Sequence, residues 1–154
     1  MRITLTVNGP THEIEVDGRM LLVEVLRNLL DLKGARIGCL TGDCGACTVD
    51  FNGELRKSCL MLALAADGGK IRTVEAAGET IDALRKAFTE KNGFQCGYCT
   101  SGMLMVASDL LERNAHPTGA EIRAAISGNL CRCTGYDDIV KSIANAASGN
   151  PEAI

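Results

Sequence analysis

The sequence predicts an α+β protein in which a strand-rich half is followed by a helical half. Near the N-terminus, apolar residues alternate with polar ones, which is the pattern of half-buried strands. From Thr80 onwards, apolar residues recur instead at helical spacing. The pattern changes at residues 75–79, so we predict one domain at residues 1–76 and a second at residues 77–154. Eight cysteines divide four to each half, and they are the candidate functional residues.

The first half is predicted to contain a hairpin, one helix and further strands. Residues 3–7 and 13–17 alternate on either side of an Asn-Gly-Pro-Thr turn, which is typical of an antiparallel hairpin. Apolar residues over 21–30 predict an amphipathic helix of about ten residues, and we expect Gly34 to end it. Residues 34–47 are glycine-rich without a periodic pattern, so they predict a tight loop. Strands are expected at residues 47–51, 55–59 and 71–74.

The second half is predicted to consist of helices. Four apolar stripes at helical spacing begin at Ile81, Met103, Ile122 and Ile139. Thr118 and Glu121 have the spacing of a capping box, which marks the start of the third helix. We expect the second helix to begin near Ser101 and run for about 13 residues, and a slightly shorter helix to return antiparallel to it.

Bulk composition excludes several classes of protein. The net charge is −3, from 16 basic and 19 acidic residues spread evenly along the chain, so there is no basic face for nucleic acid. Apolar stretches such as residues 59–66 are too short to span a bilayer, and residues 1–9 lack the apolar run of a signal peptide. We therefore expect a cytoplasmic protein without a membrane span, in which cysteines stay reduced. The sequence has no nucleotide-binding or acyl-transfer motif, and no catalytic residue is predicted.

The first cysteine set has the spacing C-x4-C-x2-C-x11-C and consists of Cys39, Cys44, Cys47 and Cys59. Three of its thiols crowd one glycine-rich loop, and the fourth follows a neighbouring strand. This is the spacing of plant-type [2Fe–2S] proteins, in which four thiolates converge on two irons. Glycines in the loop allow the backbone to approach the sulfurs closely. A four-thiolate zinc site is the alternative, although zinc motifs usually combine two short cysteine pairs.

The second cysteine set has the spacing C-x2-C-x31-C-x-C and consists of Cys96, Cys99, Cys131 and Cys133. By itself this pattern fits either a [2Fe–2S] cluster or zinc. The first pair precedes a predicted helix, whose positive N-terminal end favours thiolate. A returning antiparallel helix would bring the second pair back beside the first, so that four ligands meet. The first set in the same chain favours the iron–sulfur interpretation.

Three segments of the chain match a known family in order. They are GCLTGDCGACTV (38–49), FQCGYCTSGMLM (94–105) and GNLCRCTGY (128–136). These segments resemble the two-cluster iron–sulfur small subunit of the molybdenum hydroxylases, which include xanthine dehydrogenase, aldehyde oxidoreductases, carbon monoxide dehydrogenase and N-heterocycle dehydrogenases. The resemblance extends over about residues 2–147, and all eight cysteines fall at the family's ligand positions. Tyr98 and Ser101 stand where the family more often has Phe and Pro, but both leave the ligands intact.

The resemblance implies a ferredoxin-like β-grasp domain of the plant-type [2Fe–2S] class at residues 1–76, followed by a four-helix bundle at residues 77–154 that binds a second [2Fe–2S] cluster. It implies that the first cysteine set holds the cluster nearer a flavin, and the second set the cluster nearer a molybdenum–pterin cofactor. Gln95 and Cys133 lie where the family's chain approaches the pterin. The implied partners are a large molybdopterin-binding subunit and a medium FAD-binding subunit, assembled as a dimer of heterotrimers.

The function that the resemblance implies is electron transfer from the molybdopterin site through two [2Fe–2S] clusters to a flavin, with the substrate converted on a partner chain. Two alternatives are a free-standing ferredoxin-like carrier, which has no need of the second domain, and a zinc-stabilised interaction module. Among side chains near the cysteines, we expect Arg36 and Lys57 to be solvated, and Phe94 and Tyr98 to be packing residues.

Overall fold

The first half of the chain forms a five-stranded mixed sheet in the computed structural model, which describes residues 1–148. The strands are β1 (Arg2–Val7), β2 (Thr11–Glu15), β3 (Thr48–Phe51), β4 (Glu54–Lys57) and β5 (Lys70–Arg72). Their order across the sheet is β2-β1-β5-β3-β4. β5 pairs with β1 in parallel, whereas the other neighbouring strands are antiparallel.

The hairpin of β1 and β2 follows the predicted alternation. Ile3 lies opposite Ile14 in the ladder, and Ile3 and Leu5 are at most 2% exposed, so this face of β1 enters the core. A second tight turn joins β3 to β4 at Asn52 and Gly53, whose φ angles are 54° and 85°. Positive φ at both central residues is the geometry that two-residue hairpin turns favour.

The predicted first helix is present, but most of it is not α-helical. One α-helical turn, α1 (Leu22–Glu24), continues into a π-helical turn over Val25–Leu29. The C-cap is Leu30, and the next residue, Asp31, has a left-handed φ of 57°. The chain therefore leaves the helix at Asp31.

Gly34 does not end this helix, so that prediction is wrong. Its N–H donates a hydrogen bond to Oε1 of Glu75 at 2.6 Å. A Cβ at this position would lie 2.2 Å from the Val74 side chain. Glycine is needed here because the loop packs closely against the segment that follows β5.

The second half forms the four predicted helices. They are α2 (Glu79–Glu90), α3 (Thr100–Arg113), α4 (Gly119–Ala125) and α5 (Asp137–Ser148). The predicted capping box is present, because Thr118 N donates to Glu121 Oε2 at 2.7 Å and Thr118 Oγ1 accepts from Glu121 N at 3.3 Å. The returning helix α4 has 7 residues against 14 in α3, so it is shorter than expected. A 3₁₀ turn over Ile126–Gly128 prolongs it.

Each half has its own hydrophobic core. The sheet and α1 enclose the first core, which includes Leu5 and Leu22, and helices α2 to α5 enclose the second, which includes Phe88. α3 also contacts β3 and β4. Leu55 and Val74 from the first half pack against the second core, so the two halves share a packed boundary.

The prediction of an α+β fold is confirmed by this combination of a mixed sheet and helices. No helix within residues 1–148 is long and apolar enough to cross a membrane. Residues 149–154, at the end of the predicted second domain, lie outside the described residues. The division of the chain into domains at residues 76 and 77 stays a prediction.

Candidate iron–sulfur centres

The first cysteine set lies between α1 and β3 and in the turn after β4. Cys39 and Cys44 are half-buried, whereas Cys47 and Cys59 are only 1% and 3% exposed. Ser58 fixes the turn to the loop, because its hydroxyl donates to the Cys47 carbonyl oxygen at 2.7 Å. The Cys39 thiol lies beside Cys44, and the Cys59 thiol lies beside Cys47, so the fold brings the predicted set together.

Glycines shape this loop at positions where side chains would not fit. Gly42 and Gly45 have φ angles of +86° and +76°, which other residues rarely adopt. A Cβ at Gly38 would lie 2.8 Å from the Sγ of Cys44. The backbone therefore wraps closely around the thiols, as the sequence predicts.

Hydrogen bonding and burial give the thiols of the first set different acidities. The Thr41 hydroxyl and the backbone N–H groups of Cys44 and Thr41 lower the pKa of Cys39 to about 6. Those N–H groups lie 3.5 Å and 3.4 Å from the Cys39 Sγ. Burial, together with the Cys47 thiol, raises the pKa of Cys59 to about 12. Hydrogen bonding thus favours the thiolate of Cys39, whereas burial disfavours that of Cys59, whose deprotonation a bound cation would promote.

The second cysteine set lies at the N-terminal end of α3. Cys99 is the N-cap residue of that helix. The return of the chain through α4 brings the Cys133 Sγ to 3.6 Å from the Cys96 Sγ, as the antiparallel arrangement predicts. Cys96 and Cys133 are exposed, and Cys99 and Cys131 are half-buried. The second set is therefore open at the protein surface.

The helix terminus does not affect both neighbouring thiols as predicted. The backbone N–H of Tyr98 lies 3.5 Å from the Cys96 sulfur and lowers the pKa of that thiol. Burial raises the pKa of Cys99 to about 12, and the Cys131 thiol adds to this effect. The predicted preference for thiolate is therefore not found at Cys99, where burial raises the pKa.

Arg36 and Lys57 are half-buried and hydrogen-bonded, so the prediction that they are simply solvated is only partly correct. The Arg36 guanidinium donates to the carbonyl oxygen of Gly97 and lies 5.5 Å from the centre of the Tyr98 ring. Lys57 Nζ donates to the carbonyl oxygen of Gly128 at 2.9 Å. Both side chains therefore link the first half of the chain to the backbone of the second half.

Phe94 and Tyr98 are not packing residues, because they are 41% and 49% exposed. The Tyr98 hydroxyl donates to the carbonyl oxygen of Ile37 at 2.7 Å, which adds another link between the halves. Gln95, predicted to approach a pterin, is exposed beside Cys96. The surface around the second set thus combines aromatic, amide and thiol groups.

Asn129 connects the two cysteine sets and was missed by the sequence reasoning. It is 2% exposed, and its Nδ2 donates to the carbonyl oxygen of Gly45 at 3.2 Å. The next residue, Leu130, donates its backbone N–H to the carbonyl oxygen of Cys44 at 2.9 Å. The sequence does show an amide residue inside the Gly-Asn-Leu-Cys motif. Its partner, Gly45, lies far away in the sequence, so the motif alone does not predict the contact.

The residues of both sets fit [2Fe–2S] clusters. All eight cysteines are free thiols, which are the ligands that such clusters use. The hydroxyls of Thr100 and Ser101, beside Cys99, are buried without a hydrogen-bond partner among the described residues, so a further polar group suits this position. Within residues 1–148, no three or more His, Cys, Asp or Glu side chains are arranged to hold a single metal ion. A [2Fe–2S] core divides its thiolates between two irons and does not need them around one point.

Family models match both halves of the chain. Residues 5–68 match a 2Fe-2S iron-sulfur cluster binding domain, and residues 73–144 match a [2Fe-2S] binding domain. Each match contains one of the two cysteine sets. The chain therefore has two [2Fe–2S] cluster-binding regions, as its cysteine spacing predicts.

Relatives cover almost the whole chain. It is 51% identical to the caffeine dehydrogenase subunit gamma of Pseudomonas sp. (strain CBB1), over 92% of this chain and 87% of that protein. It is 46% identical to the nicotine 6-hydroxylase small subunit of Paenarthrobacter nicotinovorans, over 95% and 89%. The crystal structure of quinoline 2-oxidoreductase from Pseudomonas putida 86 matches with a TM-score of 0.90 at 44% identity, over 96% of this chain and 92% of that chain. The chain belongs to the family of two-cluster iron–sulfur small subunits of the molybdenum hydroxylases, and its role is electron transfer.

Proposed function

We propose that this chain relays electrons from a molybdenum–pterin site on a large partner subunit to FAD on a medium partner subunit. The observation that carries the proposal is that each half places four thiols together, and that the two halves contact each other beside those thiols. Bound [2Fe–2S] clusters supply one-electron transfer. The substrate is converted on the large partner, since this chain contributes thiols and backbone rather than catalytic groups.

We propose that each cysteine set holds one cluster through all four of its thiols. The first ligand set is Cys39, Cys44, Cys47 and Cys59, and the second is Cys96, Cys99, Cys131 and Cys133. In each set one thiol already accepts backbone hydrogen bonds, from Thr41 in the first and from Tyr98 in the second. Such bonds favour the thiolate and help to set the reduction potential of a bound cluster.

We propose that residues 1–76 form a ferredoxin-like β-grasp domain and residues 77–154 a four-helix bundle. In support, the sheet packs on α1 around one core, whereas α2 and α4 each contact both α3 and α5 around another. In this arrangement each domain carries one cluster near their shared boundary. The sheet domain encloses its ligands, and the helical domain presents its ligands at one end.

We propose that the second set faces the molybdenum–pterin partner and the first set faces the flavin partner. Exposure of Cys133 and Gln95 supports this orientation, because a partner surface can then approach both groups directly. Near the first set, Leu40 and Leu60 are 50% and 59% exposed and offer apolar area to the other partner. We place the assembly, a dimer of heterotrimers, in the cytoplasm, where reducing conditions keep the thiols free.

We propose a nitrogen heterocycle as the substrate class of the large partner. The relatives described above are named for caffeine, nicotine and quinoline, which all contain ring nitrogen. Turnover of these three compounds by the purified complex, compared with turnover of an aromatic aldehyde, tests this assignment. Faster turnover of the aldehyde would contradict it.

The assembly is tested by purifying the complex through a tag on this chain. We expect two larger chains to co-elute in equal amounts, one carrying molybdenum and the other FAD. A red-brown chain that elutes alone would support the free-standing carrier instead. A colourless chain that contains zinc would support the interaction module.

A further inference from the structure

The backbone segments that carry ligands of the two cysteine sets are in direct contact. The Leu130 N–H donates to the Cys44 carbonyl oxygen at 2.9 Å. Leu130 directly precedes Cys131, so one hydrogen bond and one residue separate a thiol-bearing residue of the first set from one of the second. This contact provides a short bonded route between the two sets.

The carboxamide of Asn129 is enclosed between two glycines at this contact. A Cβ at Gly45 would lie 2.5 Å from the Cγ of Asn129. A Cβ at Gly102, in the first turn of α3, would lie 2.2 Å from the Gly45 carbonyl oxygen and 2.8 Å from the Asn129 Nδ2. One buried amide side chain, that of Asn129, therefore lies where three segments meet. These are the loop of the first cysteine set, the start of α3 and the segment before Cys131.

The Gly45 carbonyl oxygen accepts hydrogen bonds from both halves. Thr48 donates from its hydroxyl at 2.7 Å and from its backbone N–H at 3.1 Å, which fixes the carbonyl within its own loop. Asn129 donates from the other half at 3.2 Å. Lys57 adds a more exposed link to Gly128, so Asn129 is the buried side-chain donor that joins the two segments beside the Leu130 backbone bond.

We propose that Asn129 is a positioning residue that keeps the hydrogen bond between Leu130 and Cys44 formed. Through this bond it sets the electronic coupling between the two clusters. The inference rests on the proposed function, because it takes both cysteine sets as cluster ligands. In the transfer concerned, one electron would pass from a cluster held by the second set to a cluster held by the first set. No covalent bond forms or breaks. Without the Asn129 donor, the segment before Cys131 loses a buried hydrogen bond to Gly45. The hydrogen bond from Leu130 to Cys44 then breaks, and the bonded route is interrupted.

The test compares Asn129→Ala and Asn129→Asp with a matched control, Ser127→Ala, in the complex purified through this chain. Asn129→Asp keeps the volume of the side chain but replaces the donor with an acceptor that faces the Gly45 carbonyl oxygen. Ser127 lies two residues away, and its hydroxyl donates to the Ala124 carbonyl oxygen within its own helical segment. Paramagnetic resonance of the dithionite-reduced complex reports the spin–spin splitting between the clusters, and rapid-mixing reduction reports the rate of electron equilibration between them.

We expect both Asn129 variants to keep the iron content of the wild type, to show a smaller spin–spin splitting because the part transmitted through bonds is weakened, and to equilibrate electrons severalfold more slowly. Ser127→Ala should match the wild type in all three measurements. Wild-type splitting in Asn129→Asp would overturn the proposal, because filling the space would then be sufficient. Loss of iron from both Asn129 variants would also overturn it, because the residue would then be needed to hold a cluster. If the wild type itself lacks two [2Fe–2S] signals, the proposed function of the chain is contradicted, and with it the role of Asn129.

Discussion

The two cysteine sets use the same number of thiols but differ in how far the protein encloses them. In the first set, Cys47 and Cys59 are 1% and 3% exposed within the strand-half core. In the second set, Cys96 and Cys133 are exposed, and Tyr98 beside them is 49% exposed. The first site is therefore shaped largely by its own loop, whereas the second lies open at the protein surface.

This difference assigns separate tasks to the two halves. A buried site holds its metal through packing, since opening it disturbs the core of the sheet domain. At an open site the thiols stay accessible to solvent or to another protein surface. The following predictions test this contrast, beginning with the largest expected effect.

Cys47→Ser should remove the first [2Fe–2S] signal, about half of the bound iron, and electron transfer to the flavin. The substitution takes a thiol from a buried position, so it should also lower the Tm of the subunit. Metal analysis, paramagnetic resonance and a thermal melt measure these three effects. Cys133→Ser is the matched control, and it should remove the second signal with a smaller drop in Tm because Cys133 is exposed. Loss of only the second signal in Cys47→Ser would contradict the ligand assignment.

Treatment of the isolated subunit with air and a chelator should destroy the second cluster before the first. Oxygen and chelator reach Cys96 and Cys133 directly, whereas the sheet and the turn after β4 shield Cys47 and Cys59. The decay of each paramagnetic signal over time measures the order. If the proposed large partner covers the second set, the second signal should last longer in the assembled complex than in the isolated subunit. Equal decay of both signals in the isolated subunit would contradict the proposed difference in enclosure between the two sites.

Tyr98→Phe should weaken the link between the halves by about 1 kcal/mol, the usual contribution of one hydrogen bond. The hydroxyl that donates to the Ile37 carbonyl oxygen is lost, whereas the ring beneath the Arg36 guanidinium is kept. Chemical denaturation of the cluster-loaded subunit measures the change. Tyr136→Phe is a comparison within the second half, because its hydroxyl accepts from the Cys131 N–H. If Tyr98→Phe is as stable as the wild type, the hydroxyl does not stabilise the boundary.

Glu112→Gln should destabilise the protein by less than about 1 kcal/mol near neutral pH, as expected for a partly exposed ion pair. Glu112 on α3 binds the Arg72 guanidinium at 2.6 Å and 2.9 Å, and this contact lowers the pKa of the Glu112 carboxyl. A lowered pKa gives stability that is present above the ordinary glutamate value of about 4.3 and is lost as the pH falls through the folded value. The difference in Tm between variant and wild type should therefore shrink on acidification. Asp109→Asn, which breaks a pair within α3, is the matched control. A difference that grows in acid would contradict this sign.

Much of the candidate site could be predicted from local sequence patterns. The loop that contains Gly42 and Gly45, and the helical return that brings Cys133 to Cys96, depend on residue spacing that can be read directly. The start of α4 was equally predictable, because Thr118 and Glu121 are close in sequence.

The contacts between the halves could not be predicted in this way. Asn129 is hydrogen-bonded to Gly45, and Tyr98 to Ile37. Each pair is far apart in the sequence, and no periodic pattern predicts such a contact. The raised pKa of Cys99 could not be predicted either, because its main cause is burial, which depends on tertiary packing. The π-helical turn after α1 was missed because apolar spacing over so few residues does not distinguish it from an α-helix.

We expect the chain to hold two unlike [2Fe–2S] clusters, one enclosed and one open. The most direct measurement combines iron and zinc analysis with paramagnetic resonance of the dithionite-reduced wild-type complex. We predict about four irons and no zinc per chain, with two distinct [2Fe–2S] signals. A colourless protein that contains zinc, or iron with only one signal, would contradict the account.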